Sequence, residues 1–208
     1  MKKILLTGFE PFLHYTVNPT MKVVNQFKNR VINDYEIHAE ILVVDFKQSA
    51  IQFKQLIEKV QPDIIISLGL AGGRFKITPE RISINTKDGE PDNSGYTPID
   101  EAIYPDGNDA YFTNLPIRQM VNQLLEKGYP AEISNSAGTY LCNNIMYEGL
   151  KYALSKNSNI LSGFIHIPAS HELAIQHGKI PSWSLDDLIE SIRICIEVAT
   201  APNNRLLY

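Results

Sequence analysis

Short apolar runs alternate with amphipathic stretches along the whole chain. Residues 3–7 read as a buried first strand, followed by a loop, Gly8-Phe9-Glu10-Pro11-Phe12. Asn18-Pro19 joins a capping residue to a proline at the first helical position, which predicts a helix running to about Asn29. A second strand is predicted over 36–44. Residues 48–60 carry Ile51, Leu56, Ile57 and Val60 at helical spacing. Residues 63–68 are continuously apolar after Asp63, as in a strand covered on both faces, and lead into the turn Gly69-Leu70-Ala71-Gly72-Gly73-Arg74. Residues 81–85 alternate and suggest another strand.

A turn-rich stretch follows over 88–108, with Pro91, Gly95, Pro98, Pro105 and Gly107. Segments of that length in compact domains are usually functional or mobile. A helix is predicted over 116–127, stopped by Gly128, then a short strand over 131–135, a helix over 140–155 and a buried strand over 163–167. Ser184-Leu185-Asp186-Asp187 resembles a capping box and opens a last helix reaching about Thr200. Strands alternating with helices predict an α/β fold. We expect a three-layer α/β/α sandwich with a largely parallel central sheet, in one domain over 1–208. Ligands of such sheets bind at the carboxyl ends of the strands. That gathers the Gly8 loop, the Gly69 turn, the segment before Cys142 and the segment after Ile167 on one rim.

Composition narrows the function classes. A chain of 208 residues can bury a full core. Its formal net charge is −4 and its lysines and arginines are scattered, which argues against a nucleic-acid or anionic-membrane footprint. Two cysteines, Cys142 and Cys195, are too few for a secreted disulfide scaffold. Met1-Lys2-Lys3 precedes an apolar run far shorter than a secretory leader needs, and no stretch approaches a membrane span. A cytoplasmic protein is the expectation.

The candidate chemistry centres on Cys142. A short strand and a Gly-containing turn precede it, so it falls in the first turn of the helix over 140–155. Free backbone N–H groups and the helix dipole there favour a thiolate and could hold an oxyanion. The plainer alternative is a small buried hydrophobe. That alternative fits Cys195, which lies on the apolar face of the last helix. A thiol nucleophile needs a base within hydrogen-bond reach, and His166, ending an apolar strand in Phe164-Ile165-His166-Ile167-Pro168, is the leading candidate. His14, His38, His171 and His177 are weaker ones. Glu80 opens an alternating strand and could orient the imidazole, with Asp63, Asp88 and Asp92 as rival carboxylates. The Gly69–Arg74 turn lacks the spacing of a nucleotide-binding loop, and no His-x-x-x-His or Cys-x-x-Cys spacing suggests a metal.

Taken in order, several segments resemble the pyrrolidone-carboxylate peptidase (pyroglutamyl peptidase I) family. They are Thr7-Gly8-Phe9-Glu10-Pro11-Phe12, Val17-Asn18-Pro19, the Gly69–Arg74 turn, Glu80-Arg81, Pro91-Asp92-Asn93-Ser94-Gly95, the stretch 134–143 and Phe164–Pro168. The resemblance implies removal of N-terminal 5-oxoproline from peptides by a cysteine-type omega-peptidase, with no metal or organic cofactor. It implies a phosphorylase/hydrolase-like fold and a homotetramer in the cytoplasm. It places the catalytic triad on Cys142, His166 and Glu80. It places the ring pocket on Phe9, Phe12, Asn18, Leu70 and Leu141. The chain departs from the family pattern at Leu13-His14, where Gly-Gly is usual, and at Leu70, where Gln is usual. Asp88-Gly89-Glu90-Pro91 is one residue short and lacks an arginine that lies near the family's thiol, from which a lower rate or altered substrate is expected. Two other readings stay open: a weakly active relative that binds N-terminally cyclised peptides, and an enzyme similar to the nucleoside phosphorylases.

Overall fold

In the computed structural model, residues 1–13, 15–156 and 159–202 are described; the candidate His14 lies outside them. Six strands form one sheet. From edge to edge they are Val31–Ile32 (β2), Tyr35–Leu42 (β3), Lys2–Phe9 (β1), Ile64–Leu70 (β4), Leu161–Ile167 (β8) and Thr78–Pro79 (β5). β3, β1, β4 and β8 are mutually parallel, and β2 and β5 close the edges antiparallel. Two small ribbons stand apart: Ile82–Ile84 (β6) with Ala110–Phe112 (β7), and Ala169–Ser170 (β9) with Ser182–Trp183 (β10).

Helices cover both faces, as the alternation predicted. Pro19–Gln26 (α1), Ile117–Glu126 (α3) and Leu185–Thr200 (α6) pack against Ile4, Leu6, Ile66, Ile165 and Ile167. Phe46–Val60 (α2) and Leu141–Ser155 (α4) pack against Leu5, Ile65 and Phe164. Side chains alternate across a strand, so consecutive apolar residues of β1, β4 and β8 feed the two cores in turn. Each fully buried Ile, Leu or Phe side chain contributes about 1.5–3 kcal/mol. The same alternation puts Ser67, Gly69 and His166 on the face that α4 covers.

Capping residues define the helix starts. Asn18, Asp45 and Ser184 accept from Thr20 N, from Lys47 N and Gln48 N, and from Asp187 N respectively. β3 and β4 flank β1, and their connections run over opposite faces through α1 and α2, so the strand order reverses at β1. The β1–β4 register ends at Thr7 and Ser67, whereas β4 stays in register with β8 as far as Leu70 and Ile167. The strands part at the carboxyl rim.

Several expectations are corrected. Gly8 and Phe9 belong to β1, and Gly69 and Leu70 to β4, because ladder pairing carries both strands past their glycines. α1 stops at Gln26, and Asn29 turns left-handed with φ 59°. β3 ends at Leu42, two residues early. The strand expected over 131–135 is reduced to two isolated bridges, Ile77 to Ala131 and Glu80 to Ser134. Glu80 does not open a strand: it lies between β5 and β6. Helix His171–His177 (α5) is an element that the sequence pattern does not announce.

Candidate active site

Three elements converge at the carboxyl rim. β8 supplies His166, the start of α4 supplies Cys142, and the segment after β5 supplies Glu80. Pairing of Thr78 with His166 and Pro79 with Ile165, followed by a hydrogen bond from Glu80 N to the Phe164 carbonyl at 2.9 Å, brings Glu80 alongside His166. Its carboxylate Oε1 lies 2.7 Å from His166 Nδ1, with Glu80 0% and His166 5% exposed. The Cys142 side chain lies close enough to the same imidazole to act on it electrostatically. Cys142 itself is partly exposed.

The electrostatics follow from that contact order. Burial works to push His166 down. The negative charge and hydrogen bond of Cys142, then those of Glu80, outweigh it and raise the imidazole to about 9. Burial likewise works to raise Glu80, but its bond to His166 and the imidazolium charge, with Ser134 and Arg74, hold the carboxyl below its ordinary range. Cys195 has no such partner. It is fully buried among the α6 core, and burial alone pushes its thiol up to about 12.

The rival groups sit elsewhere. Asp63 opens β4 at the far end of the sheet, where its Oδ2 accepts from Lys3 N. Asp92 spends both oxygens on Phe46 N, Ser94 and Tyr96 N. Asp88 is tied through its backbone to Thr139. His38 lies mid-β3 beside Glu36, His171 bonds Ser182, and His177 packs on Tyr15.

The expected ring-pocket residues take different places. Phe12 is half-buried at the rim, with its ring centroid 5.3 Å from Tyr15 and 6.2 Å from Tyr140. Phe9 and Leu141, 4% and 1% exposed, are built into the α2/α4 core beneath it. Asn18 is consumed in holding the loop: its Oδ1 accepts from Thr20 N and its Nδ2 donates to the Glu10 carbonyl. Leu70 ends β4 and packs against Phe12, Ala169 and the α5 residue Leu173. Tyr140, the residue before α4, is a wall that sequence reading missed. It stands edge-on to Phe46 at 5.2 Å, and its hydroxyl donates to the Pro91 carbonyl at 3.1 Å. Its position two residues before the nucleophile candidate was the available signal. The shortened 88–91 segment is fastened here, since Asp88 N donates to the Thr139 carbonyl and Thr139 Oγ1 to the Asp88 carbonyl. Leu13 adopts φ 52°, a left-handed conformation that favours glycine. A hollow of about 560 Å³ between Glu10, Val44, Gln48 and Asn93 is lined by none of Cys142, His166 and Glu80.

A profile of the pyroglutamyl peptidases matches residues 2–202. The chain belongs to that family. It is 65% identical over 204 residues to the pyrrolidone-carboxylate peptidase of Lysinibacillus sphaericus, covering 98% of this chain and all of that protein. It is 53% identical to that of Oceanobacillus iheyensis, over 94% of this chain and 98% of that one. Among solved structures, pyrrolidone carboxyl peptidase from Thermococcus litoralis superposes with a TM-score of 0.92 at 39% identity, covering 96% of this chain and 93% of that one. An A199P mutant of the Pyrococcus furiosus enzyme superposes at 0.93 and 40% identity, over 99% and 100%. These family names do not favour the reading as an enzyme similar to the nucleoside phosphorylases.

Proposed function

We propose that this chain is a cysteine peptidase that removes an N-terminal pyroglutamyl residue from peptides. Cys142 is the nucleophile, His166 its acid–base partner and Glu80 the group that orients the imidazole. The observation that carries the assignment is Glu80 Oε1 at 2.7 Å from His166 Nδ1, with Cys142 close enough to act on the same imidazole. It is the order of groups that nucleophile, base and orienter require.

The Cys142 thiolate attacks the exocyclic amide carbon of the pyroglutamyl residue, and the C–S bond forms as the carbonyl pair moves to oxygen. Tyr140 gives α4 no side-chain cap, which leaves first-turn N–H groups, that of Cys142 among them, to hold the oxyanion. As the tetrahedral adduct collapses, the C–N bond breaks and the His166 imidazolium gives its proton to the leaving amine. His166, now neutral, takes a proton from water, which attacks the thioester. Pyroglutamate leaves and the thiol is restored to the pair. Each step uses side chains and water.

Phe12 and Tyr140 supply the rim of the ring pocket, Phe9 and Leu141 its floor. The backbone near Leu70, where β1 and β4 part, offers N–H and C=O groups to the lactam. Asn18 secures the Phe9–Phe12 loop from behind. An ordinary N-terminus would bury an unpaired ammonium in such a pocket, which selects for the cyclised residue. The proposal extends to one catalytic domain over 1–208, assembled as a homotetramer in the cytoplasm. Light scattering tests the assembly. No described helix is long and apolar enough to cross a membrane.

The test is hydrolysis of a pyroglutamyl-linked fluorogenic amide by wild type, Cys142→Ala and Cys195→Ala. The proposal predicts turnover by wild type and Cys195→Ala, and loss by several orders of magnitude in Cys142→Ala. Turnover surviving Cys142→Ala overturns it.

A further inference from the structure

One cation reaches into the Cys142–His166–Glu80 group from outside it. Arg74 lies in the turn after β4. Its Nη1 donates to Glu80 Oε1 at 2.7 Å and to Thr78 Oγ1 at 2.8 Å, and its Nη2 donates to the Ser136 carbonyl at 3.4 Å. A single carboxylate oxygen thus takes both Arg74 and His166. Ser136 belongs to the segment that leads into α4, where Gly138 adopts φ 78°. Arg74 therefore joins its own turn, the edge strand β5 with Glu80, and the approach to Cys142.

Charge balance gives this contact a chemical consequence. A Cys142 thiolate and a Glu80 carboxylate carry two negative charges, and the His166 imidazolium carries one positive. Without Arg74 the group would hold a net buried anion, which is costly. Its guanidinium does not deprotonate in proteins, so it neutralises Glu80 whatever the state of His166. Other charged neighbours do not duplicate it. Glu80 is faced by His166 from β8, by Arg74 and by the Ser134 hydroxyl. His166 is faced by Cys142 from α4 and by Glu80, and Tyr140 also faces Cys142. Arg81, next to Glu80 in the chain, is turned away, with its Nε donating to Asn135 Oδ1 at 2.7 Å.

We propose that Arg74 is a positioning residue for the peptidase reaction: it keeps Glu80 ionised and aimed at His166, and it fixes the 134–138 segment that delivers Cys142. Its role presupposes the assignment of Cys142, His166 and Glu80 made above. Removing a positive charge beside Glu80 and near His166 makes both easier to protonate, so both limbs of the pH profile move to higher pH.

The experiment compares wild type, Arg74→Met and Arg74→Lys. It measures kcat and KM on the fluorogenic amide across pH, thermal melting, and the pH dependence of Cys142 alkylation by iodoacetamide followed by intact mass. For Arg74→Met we expect kcat lowered about 10- to 100-fold with KM within about threefold, as for a misplaced catalytic group. Both limbs and the alkylation midpoint should shift upward by about one pH unit. Arg74→Lys restores the charge but not the three-way grip, and recovers the limbs more than kcat. Unmoved limbs and an unmoved alkylation midpoint in folded Arg74→Met overturn the proposal, whether or not melting changes. Should wild type not hydrolyse the amide, the peptidase assignment fails separately, and the alkylation profile still decides whether Arg74 tunes the Cys142–His166 pair.

Discussion

A β-carbon placed on Gly69 would stand 2.8 Å from Cys142 Sγ and 2.7 Å from the Phe164 ring. β4 thus passes directly beneath the thiol, and the absence of a side chain there lets the sulfur settle against the strand beside His166. Gly69→Ala is expected to displace the sulfur, since the fully buried Phe164 has little room to move. We expect a stability loss of about 1–3 kcal/mol from overpacking. kcat should fall at least about tenfold even at temperatures where the melt shows a folded protein, as a 1 Å misplacement can cost still more. Unchanged kcat in folded Gly69→Ala would contradict this packing account.

Glu80→Gln keeps the shape of the side chain but removes the charge that anchors His166 and pairs with Arg74. By analogy with triads whose carboxylate is replaced by an amide, kcat should fall about 10³- to 10⁴-fold. One cause of the raised His166 value is lost, so the alkaline limb of kcat/KM should move to lower pH than in wild type. Wild-type kcat in Glu80→Gln would show that the carboxylate does not orient the imidazole.

The features legible in the sequence are those that local patterns report. Residues 63–68 and 163–167 read as buried strands because parallel strands covered on both faces are continuously apolar, and Asn18 and Ser184 read as helix starts because caps are local hydrogen bonds. Cys142 was placed in the first turn of α4 by the same logic. Glu80 was located but not explained: its reach to His166 depends on β5 pairing antiparallel with β8, 86 residues away, which no local spacing encodes. Gly69 reads as part of a turn because glycine usually marks one, whereas its constraint is the distant thiol. Arg74 and Tyr140 act through tertiary contacts of the same kind. α5, seven largely polar residues long, gives too weak a periodicity to read, although its Leu173 backs the Phe12 loop.

The raised His166 value has a signed consequence for stability. Between its ordinary value of 6.5 and about 9, the folded protein holds a proton that the unfolded chain has released. The stability this contributes is complete below 6.5 and is lost as pH rises through 9. Glu80, held below its ordinary 4.5, acts oppositely: its contribution is present above that value and is lost as pH falls through the depressed one. Urea titrations on the acid side should show stability falling as pH drops below 4.5, and the fall should be smaller in Glu80→Gln, which has no carboxyl there to protonate. An identical fall in both proteins would assign it to other groups.

Asn143, fully buried and next to the nucleophile, uses its whole hydrogen-bonding capacity. Its Oδ1 accepts from Ser83 Oγ at 2.9 Å and Ile84 N at 3.0 Å, and its Nδ2 donates to the carbonyls of Ile84 at 2.8 Å and Thr86 at 2.9 Å. Asn143→Ala takes this partner from Ile84 N and the Thr86 carbonyl, at about 1–3 kcal/mol for each one that water cannot reach, while the Ile84 carbonyl keeps its bond from Thr86 N. We expect a net loss of about 2–4 kcal/mol in chemical denaturation, in the upper range for single substitutions. A loss under about 0.5 kcal/mol, the level of an ordinary surface change, would show that β6 is held by other means.

The central claim is that one thiol of two, Cys142, carries the pyroglutamyl group during turnover. Wild type mixed with a pyroglutamyl amide, quenched in acid during turnover and digested, is read by mass spectrometry. The account predicts one pyroglutamyl adduct, on the peptide containing Cys142, absent from Cys142→Ala and unaffected by Cys195→Ala. An adduct on Cys195, or undiminished hydrolysis by Cys142→Ala, contradicts it.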